Sequence, residues 1–177
     1  MQRALIIALI SAPILAFCGC DGEKTPPDMP KLQPTLITIV QEGTPVEGAS
    51  VQLQKKDDLA YKWFAGGVTD AQGVCVIRTL GKYNGAPEGD FQVVVYKTTR
   101  TESETRKNQP SPPQDPEGAQ EWVKKVSAEE KEYEEIDPKY KKVELTDLAI
   151  TIVPGKNAQT FDVGAKVRIE NKQMLTK

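Results

Sequence analysis

From Thr35 onward the chain alternates short apolar runs with clusters of turn residues. TLITIVQ (35–41) is a β-branched run of strand length, and ASVQLQK (49–55) sets apolar Ala49, Val51 and Leu53 against polar Ser50, Gln52 and Gln54, the period-two signature of a half-buried strand. Between them Pro45 pre-sets a turn angle, while Gly43 and Gly48 accept the positive φ that other residues resist. The logic repeats downstream. WFAGGVTD leads into DAQG (70–73), with aspartate first and glycine fourth as a type I turn prefers, and VCVIRTL continues as a strand. NGAPEGD (84–90) delivers FQVVVYKT, in which Phe91, Val93 and Val95 share one face. LTDLAITIVPGKNAQTFDVGAKVRIE supplies two more strands around PGKN, with Leu148, Ile150 and Ile152 facing one way and Phe161 and Val163 opening the last. Short strands with turn signals at near-regular spacing predict an all-β sandwich of about seven strands over 35–170.

An insertion over 101–135 interrupts this pattern before the final two strands. TTRTESETRKNQPSPPQDPEG (98–118) has almost no apolar residues and four prolines, so it lacks material to pack and is expected to be mobile. AQEWVKKVSAEEKEYEEI follows. There Ala119, Trp122, Val123 and Val126 recur at three- and four-residue spacing, with Tyr133 and Ile136 one period further on, which predicts an amphipathic helix of about four turns. Its stripe either covers an open strand edge or presents Trp122, Val123 and Val126 to a partner, since aromatic anchors are enriched at interfaces. Trp63 and Phe64, beside AGG, pose a similar choice between an aromatic platform for a sugar ring and a pair closing one end of the core.

The first 20 residues have a different character. MQRALIIALISAPILAFCGC carries one arginine, an apolar run from Ala4 to Phe17, then small residues and cysteine, the layout of a secretory signal peptide over 1–19. The run is shorter than the roughly 20 residues a membrane-spanning helix needs. Residues 20–34 include DGEKTPPDMPKLQP, whose four prolines forbid a helix or central strand and read as a flexible tether. Residues 171–177 are a tail.

Composition narrows the chemistry. Removal of residues 1–19 leaves 158 of the 177 residues, enough for one domain with a real core. The formal net charge of −2 implies no global electrostatic pull toward nucleic acid or anionic lipid. The chain has no histidine, which excludes serine-histidine-aspartate and cysteine-histidine nucleophiles and every zinc site built with imidazole. AGGVTD lacks the lysine and spacing of a phosphate cradle. No metal, cofactor or catalytic set is expected, and the acidic run around Glu129–Glu135 reads as a solvated helix face. Cys75, in the strand-like VCVIR, is expected to be a small buried hydrophobe.

Two resemblances add to this reading. FCGC resembles a bacterial lipobox, in which a small residue precedes the cysteine that receives a diacylglyceryl group; Gly19 marks Cys20 as that cysteine, although Phe17 stands where the pattern prefers leucine. Two or more acyl chains of the palmitate type hold a protein stably on a membrane. Asp21 resembles an inner-membrane retention signal of some bacteria, a rule that varies among lineages, so the choice between inner and outer membrane stays open. GTPVEGASV (43–51), GVTDAQG (67–73) and GAPEGDFQVVV (85–95), in that order, resemble carboxypeptidase regulatory-like domains, and IDPKY (136–140) with TDLAITIVPGKN (146–157) is similar to the end of small bacterial lipoproteins that carry this domain. The resemblance implies a transthyretin-like Greek-key sandwich that is noncatalytic and does structural or protein-binding work in the bacterial cell envelope, with a carbohydrate-binding module as the alternative. An envelope protein or a glycan is the implied partner. The related hydroxyisourate hydrolases depend on histidines and a different C-terminal motif, so they are no functional guide here.

Overall fold

The structure, a computed structural model, describes residues 25–58 and 60–171. In chain order its elements are β1 (Leu32–Gln33), β2 (Thr35–Gln41), β3 (Thr44–Pro45), β4 (Ser50–Gln54), β5 (Ala65–Val68), β6 (Val74–Val76), β7 (Arg78–Thr79), β8 (Tyr83–Asn84), β9 (Ala86–Pro87), β10 (Gly89–Tyr96), β11 (Thr98–Arg100), α1 (Glu104–Asn108), α2 (Pro116–Glu129), β12 (Glu132–Glu134), a 3-10 turn (Pro138–Lys141), β13 (Ala149–Ile152), β14 (Asn157–Asp162) and β15 (Ile169–Glu170). The protein is an all-β sandwich. One sheet runs β13-β10-β4-β5-β7-β8; the other is built on β2, with β14 on one side and β3 and β6 on the other. Among the described residues the strand pairings are antiparallel except β2 with β14, which lie parallel from Thr35 opposite Asn157 to Val40 opposite Asp162, and a single parallel bridge joins Arg78 to Gly85.

Alternation decides the core. Ile37, Ile39, Ala49, Val51, Leu53, Phe91, Val93, Val95, Ile150 and Ile152 all point inward and are buried together between the sheets, as their period-two spacing predicts. The DAQG turn forms as expected: Gly73 N–H donates to the Asp70 carbonyl at 2.9 Å, and Asp70 Oδ1 accepts from Gln72 and Val74 N–H. VCVIRTL, expected as one strand, instead divides at Ile77, which donates to the Thr35 carbonyl as the chain crosses from β6 in one sheet to β7 in the other.

The sandwich has two distinct poles, set by the direction of β2. At its start, Gln33 and Pro34 meet β9, Glu88 and the β13–β14 turn; at its end, Gln41 meets Glu135 and Asp162 closes on Glu42. About 20 Å separates the poles at roughly 3.3 Å per residue.

Two expectations need correction. The tether was expected to run to 34, yet Leu32 and Gln33 pair with β9, and Gln33 is buried with its side-chain amide donating to Glu88 and its carbonyl accepting from Gly155 N–H. Only Gly85 allows this close approach. It has φ of +103° and a Cβ there would lie 2.5 Å from the Gln33 carbonyl. The insertion was expected to be disordered before its helix, yet residues 98–134 form a lobe of α1, α2 and the antiparallel pair β11–β12, extended by β15. Polar strands can do this because their ladders are supported by cross-strand charge and hydroxyl pairs, Arg100 with Glu132 and Thr98 with Glu134. The lobe leaves and rejoins the sandwich at one point, where Glu135 N–H donates to the Lys97 carbonyl at 2.9 Å. That junction lies at the pole opposite the N-terminal segment.

Candidate functional site

The five aromatic and aliphatic candidates fall into two separate places. Trp122 and Val126 lie on α2, which starts at an Asp115 cap followed by proline and runs for 14 residues, about four turns. Both are buried, and their face turns onto α1, itself capped by Ser103. Trp122 Nε1 donates to the Gln109 carbonyl at 3.0 Å, and the Arg106 guanidinium sits 5.3 Å from the ring centroid. Neither residue belongs to the sandwich core. Val123 is 52% exposed on the outer side of α2. Tyr133 and Ile136 leave the helical stripe, because the helix ends at Glu129: Tyr133 enters β12 opposite Thr99, and Ile136 inserts into the sandwich core.

Trp63 and Phe64 lie at the opposite pole. Trp63 is buried with the Lys62 ammonium 4.7 Å above its ring, and Lys62 forms an ion pair with Asp28 of the N-terminal segment. Phe64 is 43% exposed. Cys20 lies outside the described residues.

Carboxylates fasten the lobe. Glu129 accepts from the backbone N–H and hydroxyl of Thr105, Glu130 pairs with Arg106 at 2.8 Å, and Glu135 pairs with Lys97 and Lys166. The Thr105 N–H, then its hydroxyl, holds Glu129 below the ordinary carboxyl pKa; Asn171 and then Arg100 do the same for Glu132. Partial burial pushes Glu135 up, but Lys166 and Lys97 outweigh it and the net shift is downward. Because these folded-state values lie below the unfolded one of 4.5, the three groups stabilise the fold above that pH and lose their contribution as pH falls through the folded values. Trp122 emission in a Trp63→Phe variant is therefore expected to shift to the red below about pH 4; an unmoved spectrum down to about pH 3 would count against this fastening.

A hollow of about 900 Å³ lies at the β10–β13 side of the larger sheet and reaches Gln159 of β14 in the other sheet. Alternation supplies its floor: while Phe91 and Ile150 face the core, Asp90, Gln92 and Thr151 face out, and the Lys55–Asp58 turn forms a wall. Thr151 Oγ1 donates to Asp90 at 2.6 Å, and Lys55 Nζ stands 4.7 Å from the Tyr61 ring centroid. Gln92 Oε1 is buried and accepts no hydrogen bond, the one such side-chain atom among the described residues. An unpaired buried carbonyl is costly; a ligand hydroxyl or N–H in the hollow would satisfy it once the Gln92 side chain turned outward. Sequence reasoning passed over this site, although its signal was present in the outward glutamines of β4 and β10.

Cys75 is fully buried beside the parallel pair, and burial, then Asp70, pushes its thiol pKa up to about 11, the inert state expected of a packing residue. Among the described residues, no helix is long and apolar enough to cross a membrane and no group of three acidic or cysteine side chains could hold a metal ion. Comparison with protein-family models, with curated proteins and with solved structures finds no match to this chain.

Proposed function

We propose that the chain is a bacterial envelope lipoprotein, acylated at Cys20, whose noncatalytic sandwich acts as a spacer that presents the 98–134 lobe to an envelope protein. The observation that carries this reading is the placement of the N-terminal segment and the lobe at opposite poles of the sandwich. A lipid on Cys20 would bring the first pole to the membrane and direct the lobe away from it. The order of turn motifs that resembles carboxypeptidase regulatory-like domains supports the same reading, since an all-β sandwich is what that resemblance implies.

The test is capture from detergent-solubilised envelope with the mature chain and with a version in which 98–134 is replaced by a short glycine linker, a replacement the Lys97–Glu135 hydrogen bond makes geometrically easy. A protein retained by the intact chain alone is the expected result. Equal retention by both forms would refute the presenting role of the lobe.

A second reading, a carbohydrate-binding module, is favoured by the unpaired Gln92 carbonyl in the polar hollow. It predicts glycan retention by both forms, abolished by Gln92→Ala.

A further inference from the structure

Glu134 ends β12 where the lobe rejoins the sandwich, and only 3% of its surface is exposed. A carboxylate so placed must be paired, and two nitrogens of different chemistry meet one of its oxygens. Lys141 Nζ, from the 3-10 turn, donates to Oε1 at 2.6 Å; Asn171 Nδ2, from the residue after β15, donates to the same Oε1 at 3.0 Å. Asn171 is held there by two further bonds, its backbone N–H donating to the Glu132 carbonyl at 2.7 Å and its Nδ2 to Glu132 Oε1 at 3.0 Å. Two carboxylates within reach of one amide require its NH2 end to face them, since an ionised carboxylate only accepts.

An amine, a primary amide and a carboxylate that touches both nitrogens are the parts of an aminolysis. Lysine is a nucleophile once an adjacent base takes its proton, and the amide carbon of Asn171 carries its own leaving group. A general acid–base group works within about 2.6–3.2 Å of the atoms it serves, and Oε1 meets that condition for the attacking and the leaving nitrogen at once. It can therefore carry protons from one to the other without moving. Because both nitrogens rest on one oxygen, Cγ of Asn171, one bond from Nδ2, is within reach of the flexible lysine stem. An ion pair alone would need only Lys141, and a hydrogen bond alone only Asn171. The Tyr96 ring, its centroid 5.6 Å from Nζ, adds an aromatic face beside the amine, while the Lys141 side chain, 43% exposed, leaves a path by which a small product can escape.

We propose that Lys141 and Asn171 join in an intramolecular isopeptide bond that the protein forms by itself, with Glu134 as the proton carrier. Nζ, deprotonated by Oε1, attacks Cγ of Asn171; the Nζ–Cγ bond forms, the Cγ–Nδ2 bond breaks, and Nδ2 leaves with the protons that Glu134 has brought from Nζ. The lysine ammonium and the side-chain amide become a secondary amide and an ammonium ion, so atoms and charge balance and Glu134 ends as it began. The bond encloses β13, β14 and β15 in a covalent ring, and β14 is the parallel partner of β2. It stands apart from the anchor at Cys20 and from any partner of the lobe.

The test is a tryptic digest of the full chain purified from cells, with the fragments read by mass spectrometry. The expected result is a branched peptide that joins the stretch around Lys141 to the stretch around Asn171, lighter by one ammonia than its two arms together, with no cleavage after Lys141. Lys141→Arg keeps a cation against Glu134 but replaces the amine with a poor nucleophile, and Asn171→Ala removes the acceptor; both should give linear peptides only. Glu134→Gln should slow closure about a hundredfold or more. Linear peptides alone from the unsubstituted chain, with Lys141 cleaved and Asn171 at full mass, overturn the bond. Conversion of Asn171 to the acid with no branch overturns it as well, because water is then the nucleophile. A branched fraction in Glu134→Gln equal to that of the unsubstituted chain overturns the relay through Glu134.

Discussion

Phe91→Ala is expected to lower the unfolding free energy by about 3–5 kcal/mol, read as a fall in the urea midpoint at unchanged slope. Phe91 sits near the start of β10, between β4 and β13, with 2% of its surface exposed. Its ring meets Tyr61 at a centroid distance of 6.2 Å and an interplanar angle of 58°, a tilted contact of the kind aromatic pairs favour. The Lys55 ammonium stands 5.5 Å from the same ring. Alanine would remove the ring from the core and the support beneath Tyr61 and Lys55, so the wall of the hollow should loosen with the core. A single domain holds only about 5–15 kcal/mol in total, so this one change is a large share. A loss below about 1 kcal/mol would mean that the sheets close over the gap and that Phe91 is not the pillar its burial indicates.

Trp122→Ala is expected to melt the lobe and spare the sandwich. Removing a buried tryptophan costs about 3–5 kcal/mol, and here it deletes three things together: the ring under Arg106, the hydrogen bond to Gln109 and the larger of the two buried side chains on α2, one turn from Val126. A unit as small as residues 98–134 has little reserve against such a loss. Amide exchange should rise across α1 and α2 while β2, β4 and β10 keep their protection. Loss of protection in both regions at once would show that lobe and sandwich form a single cooperative unit.

The sandwich was legible because its strands obey one rule. A residue every second position faces the core, and β2, β4, β10 and β13 can be read from that alternation alone, with glycines and prolines marking the turns between them. The lobe obeys no such rule. TTR and EYE carry neither apolar alternation nor strong turn residues, and they pair through Arg100, Thr98 and two glutamates that composition reads as solvated. The helix was found because Trp122 and Val126 are one turn apart, but its end was overrun: Tyr133 and Ile136 happen to continue the helical period while serving a strand and the sandwich core. For Trp63 and Trp122 the sequence left a choice between a covered face and an exposed anchor; both are buried, and burial is a property of what the chain brings to cover them, which spacing does not encode. The hollow was missed for a related reason, since a polar outward position looks the same whether the face above it is flat or walled by a turn such as Lys55–Asp58.

The parallel pairing of β2 with β14 has a mechanical meaning. A pull on the N-terminal segment is transmitted to the start of β2, and a pull on the lobe reaches the far end of β10 through Lys97, so opposing tension runs along the strands. The ladders joining β2 to β14 and β6, and β10 to β4 and β13, lie across that axis. They are loaded in shear, and their hydrogen bonds must yield together instead of opening one after another like a zipper. Forced extension is governed by the unfolding rate and not by equilibrium stability, so a sandwich threaded in this direction resists tension applied between its N-terminal segment and its lobe.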